Sequence, residues 1–218
     1  DGWTSNVNGN GLVAASCRYA TLAHWVRDTL VGPHPLCATG NSGGAAELGQ
    51  ALTRWNLDAI LDDVVPTSGP GMARVDYACL PDAAWLSTCA ELNASSMVAP
   101  ACDYAANDLD TLIDAAYAPA TPCADADEAA CQRLFDDSSL GAGADLEITH
   151  MRLDVLLGTR DGLVSYPEGQ VFVAGVHAGA GGVVTMAITP EARHSYPDGD
   201  PGEAVLRDHL VTQCVARH

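Results

Sequence analysis

A serine surrounded by glycines is the most chemically informative feature of the sequence. Gly40-Asn41-Ser42-Gly43-Gly44 fits the pattern G-x-S-x-G and separates a short apolar run, residues 36–39, from a stretch with helical spacing. A serine hydroxyl is a poor nucleophile unless a base removes its proton during attack. If Ser42 is a nucleophile, a histidine and a carboxylate must therefore reach it from elsewhere in the chain. The alternative is a turn of small residues that carries a solvated serine.

The predicted position of Ser42, where a buried strand gives way to a helix, favours the nucleophile. At such a turn the serine takes a strained backbone conformation, and Gly40 and Gly44 are expected to make room where a Cβ would collide with the neighbouring strand or helix. The first turn of the helix also directs free backbone N–H groups towards developing negative charge. We expect the N–H of Gly43 to bind an oxyanion there.

An acid and a base for Ser42 can be sought where later predicted strands end. The segment VLLGTRDG ends in a turn that carries Asp161, and His194 follows the strand in GGVVTMAI and precedes the last helix. His177, which follows a predicted helix, is the one serious rival for the base. Asp154 lies inside its strand, so its side chain is expected to leave the sheet through a face rather than at the end.

The order of Ser42, Asp161 and His194, each just beyond a strand, resembles that of the α/β-hydrolase superfamily. The resemblance covers residues 12–66 and 148–214. It implies a Ser-His-Asp triad that forms an acyl-enzyme, with no cofactor and no metal. The residues around Ser42 also resemble the serine motif of chymotrypsin-like proteases. Those enzymes place histidine and aspartate well upstream of the serine, whereas only 41 residues precede Ser42.

The pattern of apolar residues predicts the elements that would position these side chains. Helical spacing from residue 12 to 30 is followed by a strand at 36–39, a helix at 45–55 and a strand in LDDVVPTSGPG. Beyond residue 147 come the strand MRLDVLLGTRDG, a helix with Ser165 and Glu168 at capping-box spacing, the strand GGVVTMAI and a helix capped by Asp200. Alternating strands and helices predict an α/β fold, with a mostly parallel sheet and helices on both faces.

Residues 67–147 interrupt this alternation and are predicted to form an irregular insertion. The core would then comprise residues 1–66 and 148–218, and the resemblance implies that the insertion is a lid over the site. Trp85 is a candidate for the substrate pocket, together with Asn41 from the motif. The aromatic residues of the insertion are otherwise explained as its own small core, and these include Tyr104, Tyr117 and Phe135.

Eight cysteines predict some disulfides and an oxidising, extracellular compartment. The sequence has no C-x-x-C pair, which argues against a cysteine zinc site or a redox motif. The closest-spaced pairs within the insertion, Cys79 with Cys89 and Cys123 with Cys131, are the first expectation. Pairing of Cys102 with any of these four stays open, and so does a crosslink from the insertion to the core through Cys17 or Cys214.

Composition limits the partners that the chain can have. The sequence holds 28 acidic residues against ten arginines and no lysine, a net charge of −18, so it repels phosphate backbones and no nucleic acid is expected. No apolar run approaches the ~20 residues of a membrane span. The expected substrate is an extracellular ester of a lipid, a plant ester or a polyester. A serine peptidase of the same fold and a noncatalytic binding module remain alternatives.

The length of chain ahead of Ser42 departs from the family's pattern. The family places about four or five strands before its nucleophile, whereas 41 residues leave room for one or two. We therefore expect that the N-terminal strands of the fold are missing from this chain or that a separate N-terminal segment supplies them as a partner.

Overall fold

Parallel strands form the centre of the structure, a computed structural model that describes residues 3–5, 7–196 and 199–215. The strands are β1 Cys37–Asn41, β2 Asp63–Thr67, β3 Glu147–Ile148, β4 Arg152–Arg160, β5 His177–Ala178 and β6 Val183–Arg193. The α-helices are α1 Gly11–Val26, α2 Gly43–Trp55, α3 Val75–Cys79, α4 Ala83–Leu92, α5 Asp110–Ala115, α6 Pro122–Asp125, α7 Glu128–Asp137, α8 Ser165–Gly175 and α9 Pro201–His209.

The main sheet has the strand order β1-β2-β4-β6, and every pairing in it is parallel. Neighbouring parallel strands need a crossover, and the helices between these strands supply it. The predicted α/β class is therefore confirmed. The short strands β3 and β5, which pair with each other in parallel, have too few residues to leave a periodic pattern in the sequence.

Helices cover both faces of the main sheet because successive strand residues point in opposite directions. Val64 of β2 belongs to a core that contains Leu48 of α2 and Phe172 of α8. Its neighbour Val65 belongs to a separate cluster on the other face, against which Leu206 of α9 packs. Helices packed on both faces of the sheet thus hold the strand ends in place.

The two predicted helix starts in the C-terminal part of the chain have different outcomes. Asp200 caps α9 as expected, because its carboxylate accepts a hydrogen bond of 2.8 Å from the N–H of Gly202. The capping box of α8 is wrong. Glu168 accepts instead from the N–H of Arg74 at 3.0 Å, and the Ser165 hydroxyl lies near Asp161. Tertiary partners outcompete the local cap at this helix.

The insertion is helical rather than irregular, which corrects the prediction for residues 67–147. It contains α3 to α7, helices of four to ten residues. Asp82 and Asp127 cap α4 and α7, each accepting a 2.7 Å hydrogen bond from a backbone N–H. Helices this short leave little periodicity, so the sequence pattern failed to reveal them. Their core is shared with α1 through residues such as Leu12.

Three disulfides link cysteines that are not the closest in sequence. They are Cys37–Cys214, Cys79–Cys123 and Cys89–Cys102, whereas Cys17 and Cys131 are free. Both predicted local pairs are wrong, because Cys79 bonds to Cys123 and Cys131 is free. The pairing of Cys102, which the sequence left open, is with Cys89. The crosslink from the insertion to Cys17 or Cys214 is also wrong, since Cys214 bonds to β1 of the core.

None of the helices in the described residues is both long and apolar enough to cross a bilayer.

Candidate active site

Ser42 lies at a sharp turn between the end of β1 and the start of α2. Its backbone has φ 55° and ψ −116°, a conformation that residues other than glycine rarely adopt. A Cβ on Gly40 would lie 2.6 Å from the carbonyl carbon and oxygen of Gly44, so glycine is required at position 40. A Cβ on Gly44 would meet nothing within 4 Å. The steric need that the sequence suggested for both glycines therefore holds for Gly40 and not for Gly44.

Asp161 and His194 come together although 33 residues separate them. The Nδ1 atom of His194 lies 2.9 Å and 3.0 Å from the two carboxylate oxygens of Asp161. Asp161 is fully buried, and the N–H of Leu163 donates to one of its oxygens at 3.0 Å. A carboxylate on Nδ1 selects the tautomer with its proton there, which leaves Nε2 as a hydrogen-bond acceptor.

The loop that carries His194 is tied to the ends of β1 and β2. The Asn41 side chain donates to the His194 carbonyl at 2.8 Å and to the Thr67 hydroxyl at 3.0 Å. The Ser68 hydroxyl donates to the same carbonyl. Asn41, which the sequence placed in the substrate pocket, thus has a positioning contact to the backbone of the predicted base.

Ser165 is a site residue that the sequence analysis missed as such. Its hydroxyl oxygen lies 3.4 Å from Asp161 Oδ2 and 3.5 Å from His194 Nδ1. Because Nδ1 already has the carboxylate as acceptor, the consistent assignment is a hydroxyl that donates to Asp161. The position of Ser165, one helical turn beyond Asp161 at the start of α8, was a signal that could have found it.

Ser42 and His194 line one cavity of about 140 Å³. Most of its other walls are apolar and come from the N-terminal loop, the insertion and the turn after β4. They are Trp3, Thr4, Gly43, Ala46, Gly71, Met72, Tyr104, Leu109, Leu112, Ile113, Leu163, Val164 and Ser165. Trp85 is not among them, because it is buried inside the insertion, stacked on Tyr77. Asn41 is also outside this set.

Comparison with known proteins supports the fold and gives no sequence relative. No protein-family model and no curated protein matches the chain. A solved prolyl endopeptidase superposes with a TM-score of 0.58 at 13% identity over 95% of this chain and 27% of that chain. A puromycin hydrolase gives 0.56 at 14% identity over 95% and 25% of the two chains. A metagenome-derived lipolytic enzyme gives 0.50 at 11% identity over 97% and 76%.

The chain has the α/β-hydrolase fold. It spans about a quarter of the length of the first two of these proteins. In an α/β-hydrolase the nucleophile, the acid and the histidine follow successive strands in that order. Ser42 after β1, Asp161 after β4 and His194 after β6 occupy such positions.

The rival candidates lie elsewhere in the α/β-hydrolase fold. His177 begins β5 and pairs in register with Glu147 of β3, its side chain is exposed, and it is not among the residues lining the cavity. Asp154 is buried on a face of the sheet, where both of its oxygens accept from Arg152. This agrees with the expectation that the Asp154 side chain leaves the sheet through a face rather than at the end of the strand.

Glu168 is a fully buried carboxyl group that contacts the backbone of the insertion near Arg74. One oxygen accepts from Arg74, and the other has no hydrogen-bond partner. Burial raises the pKa of Glu168 to about 7, although hydrogen bonds from the backbone of residues 73 and 74 oppose this shift. The same region holds Tyr104, whose hydroxyl accepts from the N–H of Met72 at 3.0 Å and whose pKa burial raises well above its usual value.

Proposed function

We propose that this protein is a serine hydrolase that cleaves carboxylic esters through an acyl-enzyme intermediate. The observation that carries the proposal is geometric. Ser42, on a strained strand-to-helix turn, shares a cavity with His194, and Asp161 holds His194 through Nδ1 at 2.9 Å. A nucleophile, a base and an orienting carboxylate are the parts that acyl transfer by serine requires.

Each side chain then has one task. The Ser42 hydroxyl oxygen attacks the ester carbonyl carbon while Nε2 of His194 takes its proton. The resulting oxyanion accepts a hydrogen bond from the N–H of Gly43, which begins α2 and so has no intrahelical acceptor. The bond to the alcohol breaks as His194 returns the proton to that oxygen. Water then attacks the acyl-enzyme by the same route, and Asp161 stabilises the imidazolium in both halves.

The cavity walls favour an ester with a small apolar acyl group. Leu109, Leu112 and Ile113 of the insertion line the same cavity as Ser42 and offer no charged partner to a substrate. Burial of apolar surface is therefore the main source of binding free energy. The fold shared with a prolyl endopeptidase makes amide hydrolysis the second candidate.

The location and the partners of the protein are part of the proposal. Three disulfides favour an extracellular protein, in line with the cysteine content. Within the described residues β1 lies at one edge of the main sheet, so its outer edge could pair with strands from a separate N-terminal segment. The charge of −18 disfavours nucleic acid as a partner.

Labelling and hydrolysis test the proposal on one set of proteins. Wild type is expected to react with a fluorophosphonate probe and to hydrolyse p-nitrophenyl butyrate, and Ser42→Ala is expected to do neither. Ser87→Ala removes an exposed serine of the insertion and serves as the matched control. Faster cleavage of the corresponding p-nitroanilide than of the ester would favour the peptidase. Absence of labelling in folded wild type would leave a noncatalytic binding module.

A further inference from the structure

A second group of polar side chains, two buried and one partly buried, lies at the opposite end of the sheet from the predicted triad. Asp63 is the first residue of β2, Asp154 the third of β4, and His209 the last of α9. In the strand register Asp63 pairs with Arg152 and Asp154 pairs with Thr185, so these side chains share the face that α9 covers. No step of the proposed reaction uses them.

Asp63 is a buried carboxylate without a hydrogen bond. It is 2% exposed, and neither of its oxygens has a partner. The nearest basic side-chain atom is Nε2 of His209, 3.6 Å from Oδ2. Burial raises the pKa of Asp63, and the neighbouring Asp154 raises it further, whereas His209 lowers it. An unpartnered buried carboxylate is destabilising, and a bound cation would compensate its charge.

We propose that Asp63, Asp154 and His209 bind one divalent transition-metal ion, with zinc the best fit. One ligand atom from each residue lies within 4.8 Å of the other two, close enough for a single ion to bridge all three. Two carboxylate oxygens and one imidazole nitrogen are a ligand set that zinc accepts, with water as a fourth ligand. No sequence motif indicates this site, because its residues are distant along the chain and no cysteine takes part.

A proton on His209 explains the arrangement less well than a metal ion. Nε2 of His209 lies 2.9 Å from Asp154 Oδ2 and 3.6 Å from Asp63 Oδ2 but makes a hydrogen bond to neither, so a proton on this nitrogen would leave both contacts poorly satisfied. A metal ion accepts one oxygen from each carboxylate at the same time. It also offsets the repulsion between them, which a single shared proton does only in part.

The contacts of Asp154 suit an oriented metal ligand. Arg152 donates to both of its oxygens and Thr185 donates to Oδ1. Ligating carboxylates are commonly held by such outer hydrogen bonds. The ion would join α9 to β2 and β4, just before the segment that the Cys37–Cys214 disulfide secures. Its role is therefore to hold the C-terminal helix on the sheet.

Zinc titration of the whole chain, first treated with a chelator, tests this site. We expect one Zn²⁺ per chain by calorimetry, a higher unfolding temperature with Zn²⁺ than with Mg²⁺, and at least a 100-fold weaker affinity in Asp63→Asn and in His209→Gln. His24→Gln, which removes an exposed histidine of α1, should bind as wild type does.

Two results would overturn the metal site. One is no saturable Zn²⁺ binding by folded wild type. The other is wild-type affinity in Asp63→Asn, a near-isosteric change that keeps the strand intact. A stability that responds to pH through His209 but not to Zn²⁺ would assign the cluster to a protonated histidine instead. Ester hydrolysis by Ser42 is measured separately, and neither result depends on it.

Discussion

The carboxyl ends of the strands and the insertion at 67–147 are ordered by different means. At the strand ends, parallel pairing across β1, β2, β4 and β6 brings residues that are far apart in sequence to one edge. Beyond Thr67, the last residue of β2, the insertion has no residue of the main sheet and is held by short helices, side-chain caps and two disulfides. The candidate catalytic residues are therefore positioned by long-range backbone pairing, whereas the wall of the cavity is held by local caps and crosslinks.

The high negative charge of the insertion is a further difference between the two regions. Residues 67–147 contain fourteen acidic residues and two arginines. Repulsion among like charges opposes compaction of the insertion, and salt screens it only in part. Two disulfides in this segment counter that repulsion by limiting the denatured chain. The core has one disulfide, Cys37–Cys214, and relies on its sheet.

The largest expected effect separates the two histidines that compete for the role of base. We expect His194→Ala to lower kcat for p-nitrophenyl butyrate by at least about 1,000-fold, because the base that activates Ser42 is lost. His177→Ala, on exposed β5, should keep kcat within about 3-fold. Circular dichroism of both variants controls for folding. An inactive His177→Ala variant beside an active His194→Ala variant would show that His177 is the base and that His194 was assigned wrongly.

The next prediction concerns the two glycines of the turn at Ser42. Gly40→Ala puts a Cβ 2.6 Å from the backbone of Gly44, so it should destabilise the protein by about 4 kcal/mol or more and abolish activity. Gly44→Ala meets open space in the first turn of α2 and should change the free energy of unfolding by less than about 1 kcal/mol. Denaturant titration measures both. Equal losses in the two variants would contradict the observed close approach.

Removing the disulfides tests whether crosslinks order the insertion. Cys79 and Cys123 are 44 residues apart, so changing both to Ser should cost about 4 kcal/mol of loop-closure entropy. Cys89 and Cys102 are 13 apart, and the same change there should cost about 3 kcal/mol. Activity of the folded fraction should stay within about 10-fold in both, since no cysteine lines the cavity. Loss of activity with unchanged stability would contradict the expectation that these disulfides stabilise the insertion and are not needed for catalysis.

The smallest expected effect concerns the contact between the two regions, where the Glu168 carboxylate of the core accepts a hydrogen bond from the N–H of Arg74 in the insertion. The folded-state pKa of Glu168 is about 7, above the value near 4.5 of an exposed glutamate. As pH rises, the unfolded chain therefore loses the Glu168 proton before the folded protein does. Burial of this carboxyl group lowers the free energy of unfolding by about 3 kcal/mol as pH rises from about 4.5 to 7.

Glu168→Gln removes this titration and keeps an acceptor for Arg74. The unfolding free energy of the variant relative to wild type should rise by about 3 kcal/mol between pH 4 and pH 8. Glu91→Gln, an exposed change on α4, should show no such trend. A difference that is constant with pH in Glu168→Gln would show that the buried carboxyl group does not titrate in this range.

Much of the core could be predicted from sequence because its signals are local. Apolar runs bounded by turns located β1, β2, β4 and β6, and Asp200 with the proline after it located the start of α9. The order Ser42, Asp161 and His194 followed from strand ends, and the structure brings Asp161 into contact with His194. The catalytic roles of these residues stay predictions until the variants are measured.

The rest depends on how distant segments meet. Local patterns do not predict the disulfide partners in the insertion, the contact of Asn41 with the loop of His194 or the cluster at Asp63. Periodicity and caps are properties of a few consecutive residues, so the sequence by itself determines strands, helices and their order. Side chains that meet across 13 to 153 residues do so only after the sheet has paired and the helices have packed on it. Their partners are therefore decided by the tertiary structure alone.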